Sequence, residues 1–220
     1  LKNNIEFGTG LIDSSFAFDG RISKISSDGY IDRATSKLES VFLQGGFLKK
    51  NYSIKAILFS GKERTYQAWN GVPLNFLDNN RTFNSYTYEN EIDNYEQTHY
   101  QLHYNQQLSE ITNLNVALHY THGEGYYEQY KEEQEFEDYN LENIIIATDT
   151  LYSTDLIRRK WLNNDFSGVT YSLNHKMGDI DLIFGGASNR YIGQHYGNII
   201  WAQYASNGAI NHQYYWNKAE

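Results

Sequence analysis

The sequence predicts an all-β chain, the antiparallel up-and-down strands of a transmembrane β-barrel with short turns at one end and long loops at the other. Three observations predict it. Apolar and polar residues alternate with a period of two in several segments. The connections between those segments alternate between short and long. The polar positions carry Asn, Gln, His, Thr and Ser rather than the Lys and Glu of a surface that meets bulk water. Strict alternation is the mark of a strand whose two faces see different surroundings.

The cleanest hairpin lies in 98–121. Tyr100, Leu102 and Tyr104 share one face with Leu114, Val116, Leu118 and Tyr120. His99, Gln101, His103, Asn115 and His119 share the other. Three further hairpins follow this plan. Ile5, Phe7 and Thr9 precede Phe16, Phe18, Gly20 and Ile22. Tyr52, Ile54, Ala56 and Leu58 form part of the next, and Val169, Tyr171 and Leu173 lead across Met177-Gly178-Asp179 to Ile180, Leu182 and Phe184. Eight strands in four hairpins are expected. Their connections are short near 11–15, 48–51, 109–113 and 177–179, intermediate near 26–35, and long near 65–94, 123–155 and 191–220. That asymmetry belongs to outer-membrane barrels. Tyr95, Tyr120, Tyr126, Tyr127, Trp161 and Tyr191 gather towards strand ends, as an aromatic girdle does. From pattern alone a large soluble β-sandwich stays open as an alternative.

Composition narrows the function. Net charge is -9, with 18 Lys and Arg against 27 Asp and Glu. No basic cluster is expected to neutralise phosphates, so nucleic acid is excluded as a partner. The chain contains no cysteine, which removes disulfides and thiolate metal sites. No run of about 18 apolar residues marks a membrane-crossing helix. Leu1 to Asn4 open directly in a strand-like pattern and Trp216 to Glu220 stop in mid-pattern. The expectation is that residues 1–220 are an internal excerpt of one barrel domain.

Several stretches resemble a known family. They are Asp19-Gly20-Arg21-Ile22-Ser23-Lys24-Ile25-Ser26-Ser27-Asp28-Gly29-Tyr30-Ile31-Asp32-Arg33-Ala34, Phe59-Ser60-Gly61-Lys62-Glu63-Arg64-Thr65-Tyr66-Gln67-Ala68-Trp69-Asn70-Gly71-Val72-Pro73, and His119-Tyr120-Thr121-His122-Gly123-Glu124-Gly125-Tyr126-Tyr127-Glu128-Gln129-Tyr130-Lys131. Together they resemble the barrel of TonB-dependent outer-membrane transporters of the Bacteroidetes type. The resemblance implies a 22-stranded barrel in the outer membrane of a Gram-negative bacterium, filled by a plug and energised by the TonB complex through it. It implies import of a scarce nutrient, with an iron–siderophore or haem-type complex favoured over cobalamin or a glycan. Neither the plug nor the TonB-contacting segment is among these residues.

Candidate site residues come from the long loops. Tyr66, Trp69 and Arg81 fall in one, with Tyr86 and Tyr88, and Tyr126, Tyr127 and Tyr130 open the next. His195, Tyr196 and Trp201 belong to the last. Aromatics and Arg anchor binding contacts, and Arg pairs well with anionic groups. His99 and His103 stand roughly 13 Å apart on a strand and cannot share an ion; hydrogen-bonded lumenal histidines are the simpler reading. Glu124, Glu128, Glu132, Glu133, Glu135, Glu137 and Asp138 read as a solvated acidic loop lacking a calcium-loop spacing. No catalytic residue, cofactor or metal site is expected: Gly8-x-Gly10 and Gly123-x-Gly125 do not complete a dinucleotide motif, and no nucleophile elbow occurs. The other classes in play are an outer-membrane barrel enzyme, a protease or lipid-modifying one, and a soluble carbohydrate-binding sandwich.

Overall fold

The computed structural model describes residues 1–204 and the backbone of 213–215. It is all-β. The strands are β1 (Lys2–Gly8), β2 (Phe16–Ser27), β3 (Ser36–Leu48), β4 (Tyr52–Tyr66), β5 (Ile92–Ser109), β6 (Thr112–Glu135), β7 (Ile144–Ile146), β8 (Asp149–Leu151), β9 (Ser153–Met177), β10 (Ile180–Ala202) and β11 (Gln213–Tyr215). Two short 3-10 turns, Leu74–Phe76 and Phe136–Tyr139, are the only helical elements among the described residues.

One antiparallel sheet runs in the order β1-β2-β3-β4-β5-β6-β9-β10-β11, and β7 and β8 form a small separate ribbon. Eight long strands therefore follow each other as neighbours, as the alternation predicts. The sheet is not closed: no pairing joins β1 to β10 or β11 among the described residues. The four short connections all fall at one end. At the β9–β10 turn Gly178 supplies the positive φ, 61°, that a two-residue hairpin loop requires.

The register settles the faces, because directly paired residues of antiparallel strands point the same way. Tyr100 pairs with Tyr120, Leu102 with Leu118 and Tyr104 with Val116, while Gln101 pairs with His119 and Asn105 with Asn115. The expected split into an apolar and a polar face holds. Each apolar row continues across the sheet: Phe18, Gly45, Ala56, Leu102, Leu118 and Val169 form one of them. At some glycines a ring from the next strand fills the gap. A Cβ on Gly20 would lie 2.3 Å from the Phe7 ring, and one on Gly123 would lie 2.1 Å from the Tyr95 hydroxyl.

The apolar face ends abruptly towards the long connections. On β2 to β6 the first charged position of that face lies in a single register row, Lys24, Glu39, Lys62, Glu96 and Glu124. On β9 the first charge is one row lower, at Asp165, and on β10 it is one row lower again, at Arg190. The apolar run of β10 correspondingly begins low, at Ile180, Leu182 and Phe184. No second layer covers this face among the described residues: Leu102 remains 42% exposed and Leu118 48%.

The buried core lies elsewhere, at the end with the long connections. Tyr139, Leu156, Ile199 and Ala202 pack together, with Leu141 against them. The 136–141 segment thus folds down on the polar-face side of β9 and β10. Each of its large side chains contributes roughly 1.5–3 kcal/mol by leaving water, which holds this connection onto the sheet.

Candidate ligand-contacting end of the sheet

Three strands run much further than their alternation suggests. β6 reaches Glu135, β9 starts at Ser153 and β10 reaches Ala202. The segments 123–135, 153–155 and 191–202, expected as loop, are strand. A strand of about 9–11 residues crosses a bilayer, and β6 has 24 residues and β9 25. The surplus projects beyond the charged row and carries three of the six candidate residues.

This changes where those residues sit. Tyr126, Tyr127 and Tyr130 are not loop residues but neighbours along β6, and alternation sends them to opposite sides. Tyr126 and Tyr130 lie on the side continuous with the apolar face. The Tyr126 ring packs on Trp161 at 4.6 Å, with the Arg159 guanidinium 4.4 Å from its centre. The Tyr130 hydroxyl donates to Asp155 at 2.6 Å. Tyr127 lies on the polar side, where the Trp69 ring meets it edge-on at 5.6 Å. Tyr66, the last residue of β4, is buried, and its hydroxyl donates to the carbonyls of Tyr86 (3.2 Å) and Tyr88 (2.7 Å). It anchors the 67–91 connection rather than facing outward. Arg81 is exposed and donates from Nε to the Leu77 carbonyl, 2.7 Å away in its own loop. Of the six candidates, the structure brings the exposed Trp69 against the half-buried Tyr127 and places the other four separately.

The 67–91 connection is tied down at its base. Arg33 donates to the carbonyls of Asn84 and Tyr86, and the Asn84 amide donates to the carbonyls of Asp32 and Gln67. Tyr88 donates to Glu128 at 2.7 Å; burial and that bond to a carboxylate push its hydroxyl up to about 12. Glu128, expected in a solvated acidic loop, is instead buried and receives the Arg159 Nε at 2.7 Å. The acidic run is therefore partly structural, because β6 and β9 hold Glu128 and Arg159 directly opposite each other.

The polar side above the charged row carries groups that the sequence reading passed over. Arg158, Arg159 and Lys160 are consecutive in β9, so Arg158 and Lys160 share the polar side while Arg159 faces Glu128. Three adjacent cations in an acidic chain were a visible signal. Asp93, Tyr127 and Lys160 stand in one register row. Burial lowers the Lys160 ammonium from its usual range. Burial, and then the nearby Glu63 carboxylate, raise Asp93 to about 6, while a hydrogen bond from Trp69 pulls the other way. Arg158 donates to the Tyr139 hydroxyl at 2.8 Å and to Gln129 at 3.1 Å. Its Nε and the Gln67 Oε1 are buried without a hydrogen-bond partner among the described residues.

A pH prediction follows from Asp93. Its folded-state pKa lies above the ordinary 3.8, so the native state holds the proton longer than the unfolded chain does. The contribution of Asp93 to stability is full below the ordinary value and is lost as pH rises through about 6. Asp93→Asn should flatten that dependence. Urea unfolding at pH 4 and at pH 7 reads it, and an unchanged difference in the variant would assign the dependence to another group.

Among the described residues His99, His103, His119, His122 and His175 are hydrogen-bonded, as expected, while His212 lies outside them. His99 stacks on Phe59 at 4.1 Å and shares a hydrogen bond with Thr121, and His119 shares one with Asn189. His119 pairs with Gln101, not with His99 or His103. Among the described residues no group of three acidic or histidine side chains could hold a metal ion. The expected girdle is also revised: Tyr120, Tyr126 and Trp161 lie on the apolar side, but Tyr95, Tyr127 and Tyr191 point to the polar side. Phe16, Phe47, Tyr52 and Tyr104 make a ring chain at the short-turn end, with centroids 4.8, 6.0 and 6.5 Å apart.

No protein-family model matches the chain, and no curated protein matches it.

Proposed function

We propose that this chain is part of the wall and outer rim of an outer-membrane β-barrel transporter. In this reading it imports a scarce nutrient, an iron–siderophore or haem-type complex, and draws energy from TonB through a plug outside these residues. The observation that carries the membrane part is the uncharged band of the apolar face. From Tyr52 to Ser60 on β4, eight residue steps or about 27 Å of strand, no charge occurs on that face before Lys62. Outer-membrane barrels carry an apolar band of about 25 Å, and their strands tilt by roughly 35–45°. From β6 to β10 the first charge also steps along the register, from Glu124 to Asp165 to Arg190, in the way a level boundary does across tilted strands, while from β2 to β6 it keeps one row. A sheet in water gives no reason for either the uncharged band or its stepped edge.

Transport rather than chemistry is supported by what stands at the rim. Trp69 and Tyr127 offer rings on the polar side, and Arg158 and Lys160 add positive charge there. The ligand class rests on the family resemblance of the three stretches quoted above.

Cysteine scanning tests the reading, because no cysteine competes within this stretch. With a membrane-impermeant maleimide on intact cells, Asn79→Cys in the 67–91 connection should label quickly. Leu102→Cys should stay unlabelled until detergent is added, and Gln101→Cys should label in the purified protein. Equal labelling of Leu102→Cys and Asn79→Cys on cells sinks the membrane reading.

A further inference from the structure

We propose that Asn70 is a self-modifying site: its side chain cyclises onto the Gly71 amide, and Tyr86 and Ser85 promote the step. The product is a succinimide, which water opens to aspartate or isoaspartate. The proposal goes beyond the membrane reading and does not rest on it.

The reacting groups are free to meet. Asn70 and Gly71 are both exposed, at a turn that opens the 67–91 connection. The Gly71 backbone N–H donates to no acceptor among the described residues, so no ladder ties up its nitrogen. Gly71 has a φ of 68°, and a Cβ built on it would meet nothing within 4 Å, so nothing crowds the ring that closes there. The Asn70 side chain, in contrast, is held at both of its polar atoms. The Tyr86 hydroxyl donates to Asn70 Oδ1 at 3.3 Å, and Asn70 Nδ2 donates to Ser85 Oγ at 2.9 Å. The second Asn-Gly pair of the chain, Asn207-Gly208, lies outside the described residues.

These contacts match the charge changes of the reaction. Hydroxide takes the Gly71 amide proton, and the nitrogen attacks Asn70 Cγ, one residue away, without a bimolecular encounter. A C–N bond forms, and the carbonyl electron pair moves onto Oδ1. A hydroxyl already aimed at that oxygen stabilises the growing negative charge, as an oxyanion donor does. Nδ2 becomes basic as its amide resonance is lost. It takes a proton from water through the Ser85 hydroxyl, which restores the hydroxide, and leaves as ammonia when its bond to Cγ breaks. Water then adds to one carbonyl of the ring. Opening at Cγ gives aspartate. Opening at the Asn70 backbone carbonyl gives isoaspartate, which puts an extra methylene into the main chain. That methylene displaces the clasp on Ser85 and Tyr86 and shifts Trp69, the preceding residue, against the Tyr86 ring. Hydrogen bonds to an asparagine can also lock it against reaction, and the two roles have opposite signs in one experiment.

The test incubates the purified full-length protein at neutral pH for several days. Peptides are then mapped in mild acid by mass spectrometry, which counts amide lost and isoaspartate formed. Asn70 should convert, with isoaspartate among the products. Asn79, exposed in the same connection but followed by Asn80, should keep its amide. Tyr86→Phe should slow the conversion of Asn70 roughly five-fold, the rate equivalent of one neutral hydrogen bond. Ser85→Ala should slow it too. Tyr86→Phe leaves the ring beside Trp69 and the backbone carbonyl that receives Arg33 and Tyr66, so the base of the connection stays tied. Heat-modifiable migration on gels checks that each variant is folded. Conversion that is unchanged or faster in Tyr86→Phe overturns the proposal, because the hydroxyl then plays no part or acts as a lock. Aspartate without isoaspartate overturns it as well, since that is direct hydrolysis by water. So does an Asn79 that converts as fast as Asn70, where exposure alone would decide.

Discussion

Leu118→Arg should destabilise the folded protein in a bilayer by roughly 2–4 kcal/mol, the penalty for a cation facing lipid near the midplane. Leu118 sits in the middle of the apolar band, between Leu102 and Val169 in its row. Gln101→Arg, on the opposite face and one register pair away beside His119, should change stability by no more than about 0.5 kcal/mol, as a substitution at a wetted surface does. Leu118 and Leu102 are both substantially open in this single layer, so a sheet bathed in water on both sides would treat the two variants alike. Urea unfolding of the full-length protein in vesicles, read by the loss of heat-modifiable migration, separates the cases. Equal effects from the two substitutions would place water rather than lipid against Leu118.

The same contrast between faces explains what the sequence disclosed. Within the band, one face is apolar and the other polar, and the period-two signal at 98–121 located both the strands and their register. Beyond Glu124 both sides of β6 are polar or aromatic, so the contrast vanishes although the backbone ladder to β5 and β9 continues. Gly123 to Glu135 therefore reads as loop and folds as strand. The Glu128–Arg159 pair was hidden for a related reason: its partners are 31 positions apart and meet only through the β6–β9 register. The connection between those strands carried little alternation, yet Phe136 is buried and Tyr139 packs against Leu156 and Ile199. Tertiary packing decided that segment, and no local pattern announces it. Arg158, Arg159 and Lys160 were readable as a cluster of charge, but not which two would share a side.

These corrections also change which deletion is informative. Removing 123–150 would cut away half of β6 with its ladders to both neighbours, and loss of binding would then report only misfolding. Point substitutions avoid this. Trp69→Ala combined with Tyr127→Ala should weaken binding of a ferric siderophore or haem by roughly 30-fold or more in the full-length protein. That is the loss of about 2 kcal/mol expected when an aromatic anchor is truncated. Trp69 is 53% exposed and meets Tyr127 and Tyr86 edge-on, but the variant also removes its hydrogen bond to Asp93, so retained folding is checked by heat-modifiable migration. Tyr126→Ala with Tyr130→Ala is the contrasting pair on the other side of the same strand. It removes the ring beneath Arg159 and the hydrogen bond to Asp155, so it should lower stability while leaving ligand affinity unchanged. Arg81→Ala should have a small effect, since its Nε holds the Leu77 carbonyl of its own loop. Binding titrations with haemin and with a ferric siderophore, alongside iron-dependent growth, provide the measurement. If the Tyr126–Tyr130 variant loses ligand and the Trp69–Tyr127 variant keeps it, the ligand meets the opposite side of the rim. If neither pair matters for either probe, the rim of this chain does not contact an iron complex.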